Sequence, residues 1–221
     1  MQKSYIYSLI ISFFVVGCSN AVSVNDVALC DRIIDKNYYE ICYDDFYKGA
    51  LFVSYSLDGE KVYANNIEER DNFYIEPSIP REVATSSDDY VGSGYDRGHL
   101  ASDASFDYTQ EALHSVYSMA NIIPQEPEVN RESWIDTEYY ERQKAREFGS
   151  VEVIIGVVYP DNPMQIGEDL LSVPSAYYKS IQNTENGFHE CYYYENIPSF
   201  GEEDLQDHRV ECSQLILNYQ H

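Results

Sequence analysis

One stretch constrains this chain more than any other. Gly94-Tyr95-Asp96-Arg97-Gly98-His99 is followed by Asn121-Ile122-Ile123-Pro124-Gln125 and then by Asn130-Arg131-Glu132-Ser133-Trp134. Gly98 lets the backbone turn closely beside the histidine. A neutral imidazole is the side chain best suited to taking a proton near neutral pH. The amide oxygen of Asn130 suits a hard cation such as Mg²⁺. Arg97 and Arg142 add fixed forks of donors that match phosphate oxygens. Base, hard-metal oxygen and arginines in compact order suit chemistry on a phosphodiester.

The surrounding patterns place these residues. Residues 49–55 read as a strand, and Lys61-Val62-Tyr63-Ala64 as its partner across a turn at Leu57-Asp58-Gly59-Glu60. Residues 76–95, with Pro77, Pro80 and Gly92-Ser93-Gly94, read as a long loop leading into the motif. Pro127 and Asn130 prepare a helix that runs to about Phe148 and stops at Gly149. On a regular helix Asn130 and Glu138 lie about 80° apart around the axis, so both can border one cleft. Trp134, between them, anchors that helix. Val151–Tyr159 is β-branched and apolar and reads as a buried strand ending at Pro160. Residues 201–211 are acidic and read as a solvated loop with a short helix.

The start of the chain carries an export pattern. A basic opening and an apolar run from Tyr5 to Val16 precede Gly17-Cys18. The run is too short for a membrane span. Cys18 resembles a bacterial lipoprotein processing site, and Ser19 after it suits outer-membrane sorting in a Gram-negative cell. The expected organisation is a signal peptide of lipoprotein type over residues 1–17, an N-terminal segment with a disulfide over 18–48, and one domain over 49–221. The expected location is therefore the outer membrane or periplasm, or otherwise the secreted fraction. Four cysteines remain after Cys18, and an even number in an oxidising compartment reads as two disulfides. Proximity in sequence favours Cys30–Cys42 and Cys191–Cys212.

Charge excludes one class. At a net charge of −24 the chain is no nucleic-acid coat, which needs basic area over many phosphates. Residues 94–148 alone hold eleven acids against five Lys or Arg. An enzyme that grips one phosphate through a cation and a few arginines remains compatible.

Taken together, the motifs resemble the DNA/RNA non-specific endonucleases, the ββα-metal nucleases with an Asp-Arg-Gly-His motif. Tyr95–Leu100, Ser118–Gln125, Asn130, Trp134, Glu138 and Arg142 carry the resemblance, and Val153–Tyr159 and Val173–Lys179 extend it less specifically. It implies an α+β fold in which a central antiparallel sheet has the metal-binding helix packed beside it. It implies His99 as general base and Asn130 as direct ligand of Mg²⁺, with Mn²⁺ as substitute. Glu138 would reach the ion through water, and Arg142 and Arg97 would assist catalysis and hold substrate. Arg131 would touch substrate, while Asp96, Gly98, Asn121, Gln125 and Trp134 would shape the site. The implied substrate is DNA, with RNA left open, and the implied products are 5′-phosphorylated. Beyond substrate and a membrane reached through the lipid anchor, no obligate protein partner is evident. The alternative is an inactive nuclease fold serving as a binding module. Relatives also carry an upstream arginine on the early strand region. Ser54–Lys61 contains none, leaving Lys61 and Arg81 as candidates.

Overall fold

A seven-stranded antiparallel sheet carries the fold in the computed structural model, which describes residues 30–199 and 203–216. The strands are β1 (Arg32–Asp35), β2 (Glu40–Asp44), β3 (Gly49–Asp58), β4 (Asp96–His99), β5 (Ile122–Gln125), β6 (Ser150–Val158), β7 (Gln165–Ile166), β8 (Leu171–Ser172), β9 (Ala176–Asn183), β10 (Phe188–Glu195) and β11 (Arg209–Val210). The helices are α1 (Asp103–Phe106), α2 (Gln110–Val116), α3 (Trp134–Phe148) and α4 (Cys212–Ile216). The large sheet runs β1-β2-β3-β6-β9-β10-β11, and β4 pairs with β5 in a separate ribbon. This is the α+β arrangement expected. The signal-peptide and Cys18 readings fall on residues outside those described.

Period two in the strands builds the core. Val53, Tyr55 and Leu57 alternate along β3 and face Ile155, Val153 and Val151 of β6 in register, all buried. Against this face lies α3, through Trp134, Thr137, Glu141 and Ala145. The helix stops where expected, because Gly149 takes φ 85° at no side-chain cost. Gly149 then accepts a hydrogen bond from Gly59 N–H, which joins the helix end to the turn after β3.

Two local readings change. Lys61–Tyr63 form a 3₁₀ turn, not a strand, and β3 pairs instead with β2 and β6. The Asp58 carboxylate accepts from Glu60 N–H and Lys61 N–H and folds the chain back at once. Residues 30–48, set apart from the domain in sequence, hydrogen-bond into its sheet, with Ile41 opposite Val53. The structure pairs Cys30 with Cys42 and Cys191 with Cys212. The acidic segment near the C-terminus contributes β11, a short 3₁₀ turn and α4.

A buried ion pair joins helix to sheet. Lys179 Nζ on β9 lies 2.6 Å from Glu141 Oε2 on α3, both side chains at 0% exposure. Tyr55 OH and Ser105 Oγ donate to the same carboxylate at 3.0 and 2.7 Å. The ammonium also sits 4.6 Å from the centre of the Trp134 ring. Removing one partner strands a charge in a dry interior, at a cost of about 3–5 kcal/mol. Lys179→Met should therefore lose about that much stability in urea unfolding. Adding Glu141→Gln should recover part of it, and a native-like midpoint for the single variant would show that the pair is not needed.

Candidate active site

The β4–β5 ribbon and the start of α3 form one frame. Arg97 and His99 alternate on β4 and therefore project to the same side. Both meet Phe73, whose ring centroid is 5.5 Å from that of His99 and 5.7 Å from the Arg97 guanidinium. Between them, Gly98 has no room for a side chain, since a Cβ there would lie 1.8 Å from Gln125 Oε1. Gln125 is fully buried and fills that space. Asn121 fixes the exit of β4: its Oδ1 accepts from Ala101 N–H, and its Nδ2 donates to the carbonyls of Ala101 and Val116. Trp134 Nε1 then donates to His99 O at 3.3 Å and joins helix to strand directly. Gln125, Asn121 and Trp134 therefore shape the site without reaching solvent.

Asn130 does not cap α3. It lies in a π-helical turn, Val129–Ser133, and its own N–H is bonded to Glu126 O. Such turns widen the helix by one residue and re-aim the side chains they carry, often at functional sites. The count of angle from Asn130 to Glu138 on a regular helix therefore does not apply across this turn. Asp96 fixes the amide: Asn130 Nδ2 donates to Asp96 Oδ2 at 3.1 Å, so Oδ1 is the atom left to accept. Arg131 grips the same carboxylate with both arms at 2.7 Å and holds it below the usual carboxylate range. Neither Asn130 Oδ1 nor the Glu138 carboxylate accepts a hydrogen bond from any described residue. Two free oxygen donors of this kind fit a hard divalent cation.

Electrostatics tie the remaining groups together. Burial pushes Glu138 up to about 7, helped by the negative charges of Glu141 and Asp103 and opposed by Lys179 and Arg142. Burial holds His99 below its ordinary value, while Asp103 pulls it up and Arg70 pushes it down. The charge of Asp103 thus raises both His99 and Glu138. His99 Nε2 is sealed from solvent without a partner, as are Arg142 Nη1 and Arg97 Nε. Arg97 Nη2 donates to Ser87 O, and its guanidinium lies between Phe73 and Tyr90. Arg97 therefore braces the preceding loop. No Glu138–Arg142 ion pair forms among the described residues, although the two are four apart on α3.

An arginine that the sequence reading did not single out, Arg70, lies beside Asp103, the acid that acts on His99. Its Nε lies 3.5 Å from Asp103 Oδ2, and its Nη1 lies 3.3 Å from Asp107 Oδ2 and 3.0 Å from Ile67 O. The named alternatives go elsewhere: Arg81 pairs with Asp169 at 2.9 Å, and Lys61 stands exposed on its 3₁₀ turn. Arg70 sits in an aperiodic stretch, Asn65–Phe73, which offers no spacing from which its direction can be read.

Comparisons with known proteins bear on the family and the fold. The family model for DNA/RNA non-specific endonucleases matches residues 19–215. Human mitochondrial endonuclease G is 29% identical over 160 residues, which cover 68% of this chain and 54% of that protein. A nuclease of Nostoc sp. is 32% identical over 122 residues, or 55% of this chain and 44% of its own length. The mitochondrial nuclease of Saccharomyces cerevisiae is 28% identical over 154 residues, 63% of this chain and 47% of that protein. The chain thus spans about half the length of these curated relatives. In the crystal structure of an EndoG/EndoGI complex, the similar chain gives a TM-score of 0.74 at 23% identity, covering 83% of this chain and 81% of that one. That likeness shows the fold.

The two charges beside His99 generate opposite expectations. In a proton NMR titration without added metal, native His99 should titrate below 6.5. Asp103→Asn removes the negative charge that favours the imidazolium, so it should move the titration to lower pH. Arg70→Gln should move it to higher pH. A downward shift in Arg70→Gln would remove Arg70 from the neighbourhood of the base.

Proposed function

The chain belongs to the DNA/RNA non-specific endonuclease family, and from that premise we propose a metal-dependent endonuclease. It hydrolyses phosphodiester bonds of DNA, with RNA left open, without strong sequence specificity and with 5′-phosphorylated products. One observation carries the reading. His99 and Asn130 are fastened to a common frame, the first through its carbonyl to Trp134 and the second through its amide to Asp96.

In this reading His99 takes the proton of the attacking water. With Nε2 sealed inside, Nδ1 is the nitrogen left to take that proton. Asn130 Oδ1 would hold Mg²⁺, with Mn²⁺ as substitute, and Glu138 would reach the ion through water. When bound, the cation would supply charge neutralisation at the phosphate and the departing 3′ oxygen. Arg142, with a buried N–H that has no partner, and Arg70 hold the phosphate from the other side. Arg97 keeps the strand and loop in place, and Arg131, 67% exposed, reaches the outer substrate while holding Asp96. The net charge of −24 makes substrate capture weak and dependence on divalent metal strong.

Location rests on the first eighteen residues alone. We read them as an export signal ending in a lipid-bearing Cys18. The human and yeast relatives are named as mitochondrial proteins, which is a different address. Among the described residues no helix is long and apolar enough to cross a membrane. Mass spectrometry of the mature N-terminus should find an acylated Cys18, and a free terminus beyond that residue would exclude the anchor.

Cleavage of DNA should require Mg²⁺ and stop with EDTA. His99→Ala should lower turnover by roughly 10²–10⁴-fold at unchanged circular dichroism, the usual contribution of a positioned base. Asn130→Ala should shift activity to higher Mg²⁺ concentration. Folded His99→Ala protein that cleaves like the native chain would remove the histidine from the base role. Native metal dependence in Asn130→Ala would remove the metal site.

A further inference from the structure

His189 and Cys191 stand on one face of β10, because side chains two apart on a strand point the same way. Ser180 of β9 lies directly opposite Cys191 in register and shares that face. Cys212, at the start of α4, is brought there by its bond to Cys191. His189 Nε2 lies 3.6 Å from Cys191 Sγ and 2.9 Å from Ser180 Oγ. The ligating atoms of His189, Cys191 and Cys212 all lie within 4.8 Å of one another. None of these residues takes part in the cleavage site.

We propose that reduction of Cys191–Cys212 turns this corner into a binding site for one thiophilic divalent cation of the Zn²⁺ type. A dithiol or phosphine supplies two electrons. The S–S bond breaks and two thiols form; a dithiol gives up its two protons and leaves as its disulfide, whereas a phosphine leaves as its oxide, with one water supplying the oxygen and both protons. On binding the ion, both thiol protons pass to solvent, and the ligands are the two thiolates and His189 Nε2. Ser180 Oγ releases the imidazole, and a water completes the tetrahedron. His189 is exposed, which gives the ion a route in. A nitrogen–sulfur set selects Zn²⁺, whereas the oxygen pair Asn130 and Glu138 selects harder ions, so the two sites sort metals by softness.

The consequence is a staple that survives reduction. Cys212 anchors the C-terminal segment, in which β11 pairs with β10 and His208 stacks on Tyr194 at 3.9 Å. Tyr194 in turn donates to Ser133 O and packs edge-on against Trp134, beneath the start of α3. A metal in place of the covalent bond keeps this brace seated.

The test is cobalt spectroscopy on the full chain, reduced with a phosphine and desalted without oxygen. One equivalent of Co²⁺ should produce thiolate-to-cobalt charge-transfer absorption in the near ultraviolet, absent from the oxidised chain. Zn²⁺ should displace it and raise the melting temperature of the reduced chain only. Cys30→Ser/Cys42→Ser should keep the band, and Cys191→Ser/Cys212→Ser should lose it. His189→Ala, an exposed substitution, should weaken binding by at least roughly tenfold, since even outer partners of a metal ligand are worth that much. The proposal is overturned by a folded reduced chain without the band, or by a reduced chain that unfolds and does not refold with Zn²⁺. It is equally overturned by a band that persists in Cys191→Ser/Cys212→Ser, or by native affinity in His189→Ala.

Discussion

Trp134 is the hub on which the rest of the site depends. Its ring is 0% exposed and lies edge-on to Tyr177 and Tyr194, with the Lys179 ammonium over its face. Its one polar atom donates to the carbonyl of His99. An indole has a single donor, so burying it demands one acceptor in one place. That demand sets the distance between β4, which carries His99, and α3, which carries Glu138 and Arg142. The Lys179–Glu141 pair then presses the same helix onto the sheet.

The proposed phosphate chemistry is compatible with an acidic chain because of how its positive charge is distributed. Arg131 is spent on Asp96, and Arg70 is shared between Asp103 and Asp107. Arg97 and Arg142 form no ion pair among the described residues, and each keeps a buried N–H without a partner. Half-buried guanidinium groups without a carboxylate partner act at short range, where the screened field of a distant acidic surface counts for little. Their charge is therefore local, while the molecule as a whole, at −24, repels polyanions.

The motif residues were legible because their chemistry is tied to spacing. Gly98 before His99 signals a close approach, and the structure shows what approaches: the side chain of Gln125. Gly149 signals a helix end and supplies one. The strand at 150–158 follows from β-branched residues alone. The 61–64 strand failed because a single Asp58 carboxylate captures two backbone N–H groups and wins over local β propensity. Arg70 was invisible because an aperiodic segment gives no direction to its side chains. The π turn was invisible for a related reason, since a one-residue insertion in a helix leaves no mark in composition.

The sequence by itself determined the chemistry on offer: a histidine beside a glycine, an asparagine before a long helix, arginines near both, and cysteines close enough in the chain to pair. These are local facts, decided by side-chain type and by separations of a few residues. Only the tertiary structure decided which charges face which. The charge of Asp103 reaches both His99 and Glu138, Lys179 pairs with Glu141 across the helix–sheet seam, and Asp96 turns the amide of Asn130. Each joins residues more than thirty positions apart or on different elements. Burial then gives those meetings their energy, because charges interact strongly only where water has been excluded.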